Sequence, residues 1–288
     1  MSLNAQEKRA VLSVSIIISI RLLGIFLILP IFSIYALEYP FATKTTAGVA
    51  FGIYAISQSL LQIPFGWASD KFGRKRVMIF GITIFIIGSI LCGLASNINL
   101  LILARFLQGS GAISSVAISS LGDITRPEVR AQSFTITGII IGASFILGML
   151  IGPLLAAKLG FSSLFYILAC LGLIAIFATV IYFPDIEIKK HEINKTRLYS
   201  YLNNKEIKTL FFSAFINSFT TNIFLFIFPL TWVLLGETSK NIWEAYLIIL
   251  VPSFMIVFPY IRRAERNRNL KISTKAAWVL LLICFVSY

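Results

Sequence analysis

The chain has 288 residues, 58% of them hydrophobic and 13% charged, with a formal net charge of +13. An ordinary soluble domain carries about 25% charged residues, so lipid must be the solvent for much of this chain, and a soluble globular protein is excluded. The basic balance does not indicate a nucleic-acid partner either, because the cations fall in short clusters between apolar runs and those clusters have no fold of their own.

A spanning helix needs about 20 predominantly apolar residues. In chain order, spans are predicted near 12–37, 46–69, 77–95, 99–121, 132–157, 161–183, 208–235 and 242–261. A further run opens near 276 and holds about 13 residues, too few to cross a bilayer at about 1.5 Å per residue. The first run follows Lys8 and Arg9, as a signal sequence would, but its length and the spans behind it predict an uncleaved first helix.

Loop charge predicts the orientation. Cations cluster at Lys8 and Arg9, in the turn after span 2 (Lys71, Arg74, Lys75, Arg76), and after span 4 (Arg126, Arg130). They recur after span 6 (Lys189 to Lys208) and after span 8 (Arg262 to Lys275). Of the 25 Lys and Arg residues, only Lys44, Lys158 and Lys240 occupy the opposite loops, while Arg21 and Arg105 fall inside spans. Cation-rich loops stay in the cytoplasm, so the N-terminus is predicted to be cytoplasmic and the chain integral to the cytoplasmic (plasma or inner) membrane.

Cys92, Cys170 and Cys284 each lie within an apolar run, with no C-x-x-C pair, and read as packing residues. His191 is the one histidine and lies in a polar loop. The sequence offers no nucleophile–histidine pair, metal-ligand cluster or phosphate-binding glycine loop, so neither an enzyme, a metal nor a cofactor is predicted.

Spans 7 and 8 resemble a second copy of spans 1 and 2. GIFLILP ends at Pro30 and NIFLFIFP at Pro229, while Asp70 follows Pro64 at the spacing with which Glu265 follows Pro259. The expected organisation is a six-helix half over 1–183, a cytoplasmic linker over 184–208 and an incomplete second half over 209–288, the logic of repeat-built transporters.

The two intramembrane arginines are costly in lipid, by about 2.5–3.5 kcal/mol each on insertion scales. Arg21 lies near mid-membrane, which predicts a place in an interior cavity. Arg105 could snorkel outward, but Gln108 lies one turn on and can share an interior face with it. Gly109 and Gly111 in span 4, and Gly148, Gly152 and Pro153 in span 5, are expected to allow close helix contact. Gln58, Gln62, Ser114, Ser115 and Ser119 are polar residues without a predicted ligand role.

The turn GWASDKFGRKRV, residues 66–77, concentrates charge between two apolar spans. Its Gly-x3-Asp-Lys-x-Gly-Arg-Lys pattern (Gly66, Asp70, Lys71, Gly73, Arg74, Lys75) resembles the signature loop of the major facilitator superfamily. LILARFLQGSGA resembles that family's span-4 element, through Arg105, Gln108, Gly109, Gly111 and Ala112. GMLIGPLLAA resembles its antiporter element, with Ala156 and Ala157 in place of the final glycines. Within the family, SIRLLGIFLILPIFSIY, GIYAISQSLLQIPFGWASDKFGRK and LGDITR are similar to YajR-like drug exporters.

The resemblance implies an all-α membrane fold of twelve spans. This chain would hold the complete N-terminal half, the first two helices of the other half and part of the third, and the remainder would be missing or supplied by a separate chain. It further implies a charge relay among Asp70, Arg74 and Asp123, with proton coupling linked to Arg105. The expected function is proton-coupled efflux of small, drug-like molecules by alternating access, with protons, a small-molecule substrate and membrane lipids as partners. A metabolite carrier of the same fold and an inactive fragment of an interrupted gene are the alternatives.

Overall fold

Asn4 starts the first helix earlier than the apolar run alone would. In the computed structural model, α1 (Ala5–Ile28) opens with a capping box, in which the Glu7 amide donates to Asn4 Oδ1 at 2.7 Å and the Asn4 amide donates to Glu7 Oε2 at 3.0 Å. The helix also ends earlier than predicted. Pro30 has no amide proton to continue the ladder. The predicted span 12–37 is therefore α1 followed by a separate short helix, α2 (Phe32–Ala36).

The structure describes residues 3–111, 113–183, 203–250 and 252. Thr43 caps α3 (Lys44–Phe72), and Gly73, at φ 96°, lets the chain turn at once into α4 (Arg74–Gly93). Span 4 is discontinuous: α5 (Ile98–Ser110) stops at Gly111 and α6 (Ser114–Ile124) starts again after it. Then follow α7 (Arg130–Leu159), α8 (Phe161–Tyr182) and α9 (Lys205–Leu234). Taking α5 and α6 as one crossing, seven helical segments among the described residues are long and apolar enough to span a membrane. No strand occurs among the described residues.

Two compact units are distinguished, residues 1–243 and 244–288. Of the second, residues 244–250 and 252 are described, and they are helical. Ala112, the linker with His191, Pro259, Glu265, the cations after span 8, Cys284 and the run from 276 all lie outside the described residues.

Within the first unit α1 packs along α7 and α8, α3 lies against α5, and α4 lies against both α5 and α8. The α1–α7 contact is backbone to backbone. A Cβ at Gly152 would overlap the Leu27 carbonyl, and one at Gly148 would overlap Phe26. Pro153 is buried on the same turn of α7. One core gathers Val14, Ile17, Phe65, Met78, Val116 and Leu121 from α1, α3, α4 and α6. Leu60, Ile63, Phe80, Leu103, Leu173 and Phe177 project outward, as lipid-facing side chains do.

Candidate functional site

At the end of the bundle that carries the N-terminus, three elements meet around one guanidinium. Arg74 opens α4, Asp70 closes α3 one turn earlier, and Asp123 closes α6. Arg74 Nη2 lies 2.6 Å from Asp70 Oδ1, and Arg74 Nε donates to Asp123 Oδ2 at 3.0 Å. Its Nη1 donates to Ser69 Oγ, and that hydroxyl in turn donates to the Gly66 carbonyl at 2.7 Å. The local reason is electrostatic. Arg74, Lys75 and Arg76 crowd the amino end of α4, where the helix dipole disfavours positive charge, and two carboxylates offset it. The arginine side chain is 14% exposed, against 49% for Asp70 and 35% for Asp123, so protons can reach both carboxylates while the cation stays enclosed.

A second ion pair lies at the same end. Arg126 donates through Nε to Glu7 Oε1 at 2.8 Å and through Nη2 to Glu7 Oε2 at 3.0 Å, a two-pronged pairing. It ties the start of α1 to the turn before α7. The hydrogen bonds that Arg126 donates to Glu7 raise its pKa above the ordinary guanidinium value.

Deeper in the bundle, two arginines are almost wholly enclosed. Arg105 is 2% exposed and Arg21 1%. Arg105 Nη1 donates to Gln108 Oε1 at 2.5 Å, and Gln108 Nε2 donates to Ser89 Oγ at 2.8 Å. The Arg105 guanidinium lies over the rings of Tyr54, at 4.4 Å, and Phe32, at 5.0 Å. The Tyr54 hydroxyl on the far side is 3.5 Å from Arg21 Nη2, so one tyrosine touches both cations. Arg21 also donates to the Gly111 carbonyl at 2.8 Å and to Ser114 Oγ at 3.3 Å, and it lies 5.3 Å from the Phe85 ring. The break between α5 and α6 makes this possible, because it releases the Gly111 carbonyl from the helical ladder.

Residues 14–288 match the family model described as Major Facilitator Superfamily. The chain belongs to the major facilitator superfamily. It is 35% identical over 265 residues to an uncharacterized transporter of Buchnera aphidicola from Acyrthosiphon pisum, covering 90% of this chain and 68% of that protein. It is 31% identical over 271 residues to the inner membrane transport protein YajR of Escherichia coli, covering 92% of this chain and 59% of YajR. Among solved structures, a D-xylose-proton symporter superposes with a TM-score of 0.65 at 12% identity, over 89% of this chain and 70% of that one.

As a superfamily member, the chain is an integral membrane protein with the transporter fold of its relatives. Asp70, Arg74 and Asp123 converge, as do Arg105 and Gln108, while Arg21 lies apart from the outer cluster and joins Arg105 through Tyr54. Lys71 lies 5.3 Å from the rings of Trp67 and Phe72, Lys75 occupies the first turn of α4, and Gly66 faces Ser115 across the α3–α6 contact. Gly109 sits against the Tyr54 carbonyl and Ser57, and Gly111 against the Gly81 carbonyl.

Sequence reasoning missed Glu7–Arg126, Ser69, Ser89 and Tyr54. Glu7 carried a signal, since Asn4-x-x-Glu7 is a capping pattern. Tyr54 and Ser89 lie within apolar spans with no local pattern to single them out. Ser114, read only as a polar spot on span 4, receives both Arg21 and the Gln58 amide, the latter at 3.2 Å.

Proposed function

We propose that this chain works as a proton-coupled exporter of small, largely apolar or amphipathic molecules by alternating access across the cytoplasmic membrane, with its N-terminus in the cytoplasm. Because the chain spans 59–68% of the length of the relatives named above, the activity of a whole exporter requires a full second half, from this polypeptide or a separate one. The expected division into halves around 184–208 belongs to the same proposal.

One observation carries the reading: Arg74 is held at once by a carboxylate on its own helix pair and by Asp123 of another. Such a clasp stabilises one arrangement of α3, α4 and α6. Protonating either carboxylate removes an ion pair and shifts the population toward the arrangement that lacks it. The seven spans carry few fixed charges, which suits apolar cargo, and cations gather at the end where the N-terminus lies, as cytoplasmic loops do.

The test is susceptibility of cells to a broad panel of toxic compounds with and without expression, alongside proton flux in vesicles. Raised resistance accompanied by compound-driven proton movement is expected. Unchanged susceptibility across the panel, or export that proceeds without proton movement, overturns the proposal.

A further inference from the structure

Among the described residues, no acid meets the charge of Arg21. Its partners are the Gly111 carbonyl, Ser114 Oγ, the Tyr54 hydroxyl and the Phe85 ring, all neutral, and its Nε has no partner. Among the described residues every Asp and Glu falls in a loop or within a turn of a helix end, whereas Arg21 lies well inside α1. A second buried cation, Arg105, shares Tyr54 with it and among the described residues is likewise paired only with neutral groups.

The surroundings add donors. The helix α6, eleven residues long, begins at Ser114 beside the guanidinium, and its N-cap position, Ile113, provides no side-chain cap, so the positive end of that helix faces the same spot. Ser114 Oγ already accepts from Arg21 and from Gln58 Nε2, and its own proton has no acceptor among the described residues. The unspent hydrogen-bonding capacity here is therefore donor capacity: Arg21 Nε–H, the Ser114 hydroxyl and the first amides of α6. Ser114 and Gln58 are half-buried, and Arg21 is almost wholly enclosed. Ionisable side chains this deep in a membrane face the bundle interior and mark substrate or ion pathways, and discontinuous helices turn their amino ends toward anionic cargo.

We propose that Arg21, Ser114 and the amino end of α6 form an anion subsite of the transport pathway, and that the cargo is a small amphipathic organic acid whose carboxylate docks there. This rests on the transporter reading, narrows its substrate class, and is tested by equilibrium binding, which does not require flux.

The full chain, purified into bilayers of zwitterionic lipid, is titrated at neutral pH with phenylacetate and phenylacetamide, and with naphthoate and naphthamide. Binding is read by calorimetry and by the shift in melting temperature. The acids are expected to bind at least about tenfold more tightly than their amides, the worth of one charge-assisted hydrogen bond. Arg21→Gln should reduce acid affinity to the level of the amide, while exposed Lys158→Gln should change neither. Ser114→Asp supplies the carboxylate from the protein itself, so it should raise the melting temperature without ligand and abolish acid binding.

Equal binding of acid and amide, an acid preference that survives Arg21→Gln, or no acid binding by the folded chain would each overturn the proposal. Should Arg21→Gln fail to fold, Ser114→Asp decides, because a less stable variant that still binds the acids also overturns it. Acid-selective binding with no proton-driven flux would count against the exporter reading and leave the subsite standing.

Discussion

Replacing Gln108 with leucine keeps the side chain's size and removes the one acceptor that holds Arg105 closely. The hydrogen bond at 2.5 Å from Arg105 Nη1 and the bond from Gln108 Nε2 to Ser89 at 2.8 Å are lost together. What remains for the cation is the Ala50 carbonyl at 3.5 Å and two ring faces. A hydrogen bond to a charged group contributes about 1.5–3 kcal/mol, and stripping the partner from a buried charge costs about 3–5 kcal/mol. The rings keep some stabilisation, so we expect a loss of about 3 kcal/mol, roughly 150-fold in the folding equilibrium. Reversible unfolding in mixed micelles measures it, and a double-mutant cycle isolates the pair. In the Arg105→Met background, Gln108→Leu should cost only about 1 kcal/mol, the Ser89 bond alone. A cost below about 0.5 kcal/mol in the parent chain, or strict additivity in the cycle, would refute the reasoning.

Gly152→Ala should destabilise by about 1–3 kcal/mol, since the new methyl meets the Leu27 backbone, whereas Gly138→Ala, with open space around its Cβ position, should be neutral or stabilising by up to about 1 kcal/mol; paired thermal melts compare them. Glu7→Gln and Arg126→Gln should each lower the melting temperature, and the double variant should lose no more than either alone, because both break the same two-pronged pair; a double variant with the full sum of the losses would mean the pair is not coupled. Arg74→Lys keeps the charge but cannot engage Asp70, Ser69 and Asp123 together, so under the proposed export reading resistance in the cell assay should fall nearly as far as in Arg74→Gln.

Hydropathy and loop charge made the spans legible, because lipid imposes a crude length rule that any helix crossing it must meet. Helix ends were less legible. Apolar content could not show that Asn4 and Glu7 would start α1 early, nor that Pro30 would divide span 1. The break in span 4 was hidden for the same reason: ILARFLQGSGAISSVAI reads as one apolar crossing, and only the meeting of Gly111 with Gly81 and Arg21 exposes it.

The charged turn was legible as a pattern, and its residues do meet, because Asp70 and Arg74 lie one helical turn apart and Asp123 ends a neighbouring span. Partners distant in sequence, such as Tyr54 between two arginines or Ser89 beneath Gln108, follow from packing that no spacing encodes.

The central claim is that the Asp70–Arg74–Asp123 clasp holds α3, α4 and α6 in one arrangement. Hydrogen–deuterium exchange of residues 66–77, compared between the parent chain and Asp123→Asn, tests it most directly. Both carboxylates converge on Arg74, so the parent should protect this turn and Asp123→Asn should lower that protection. Protection that Asp123→Asn leaves untouched would contradict the account.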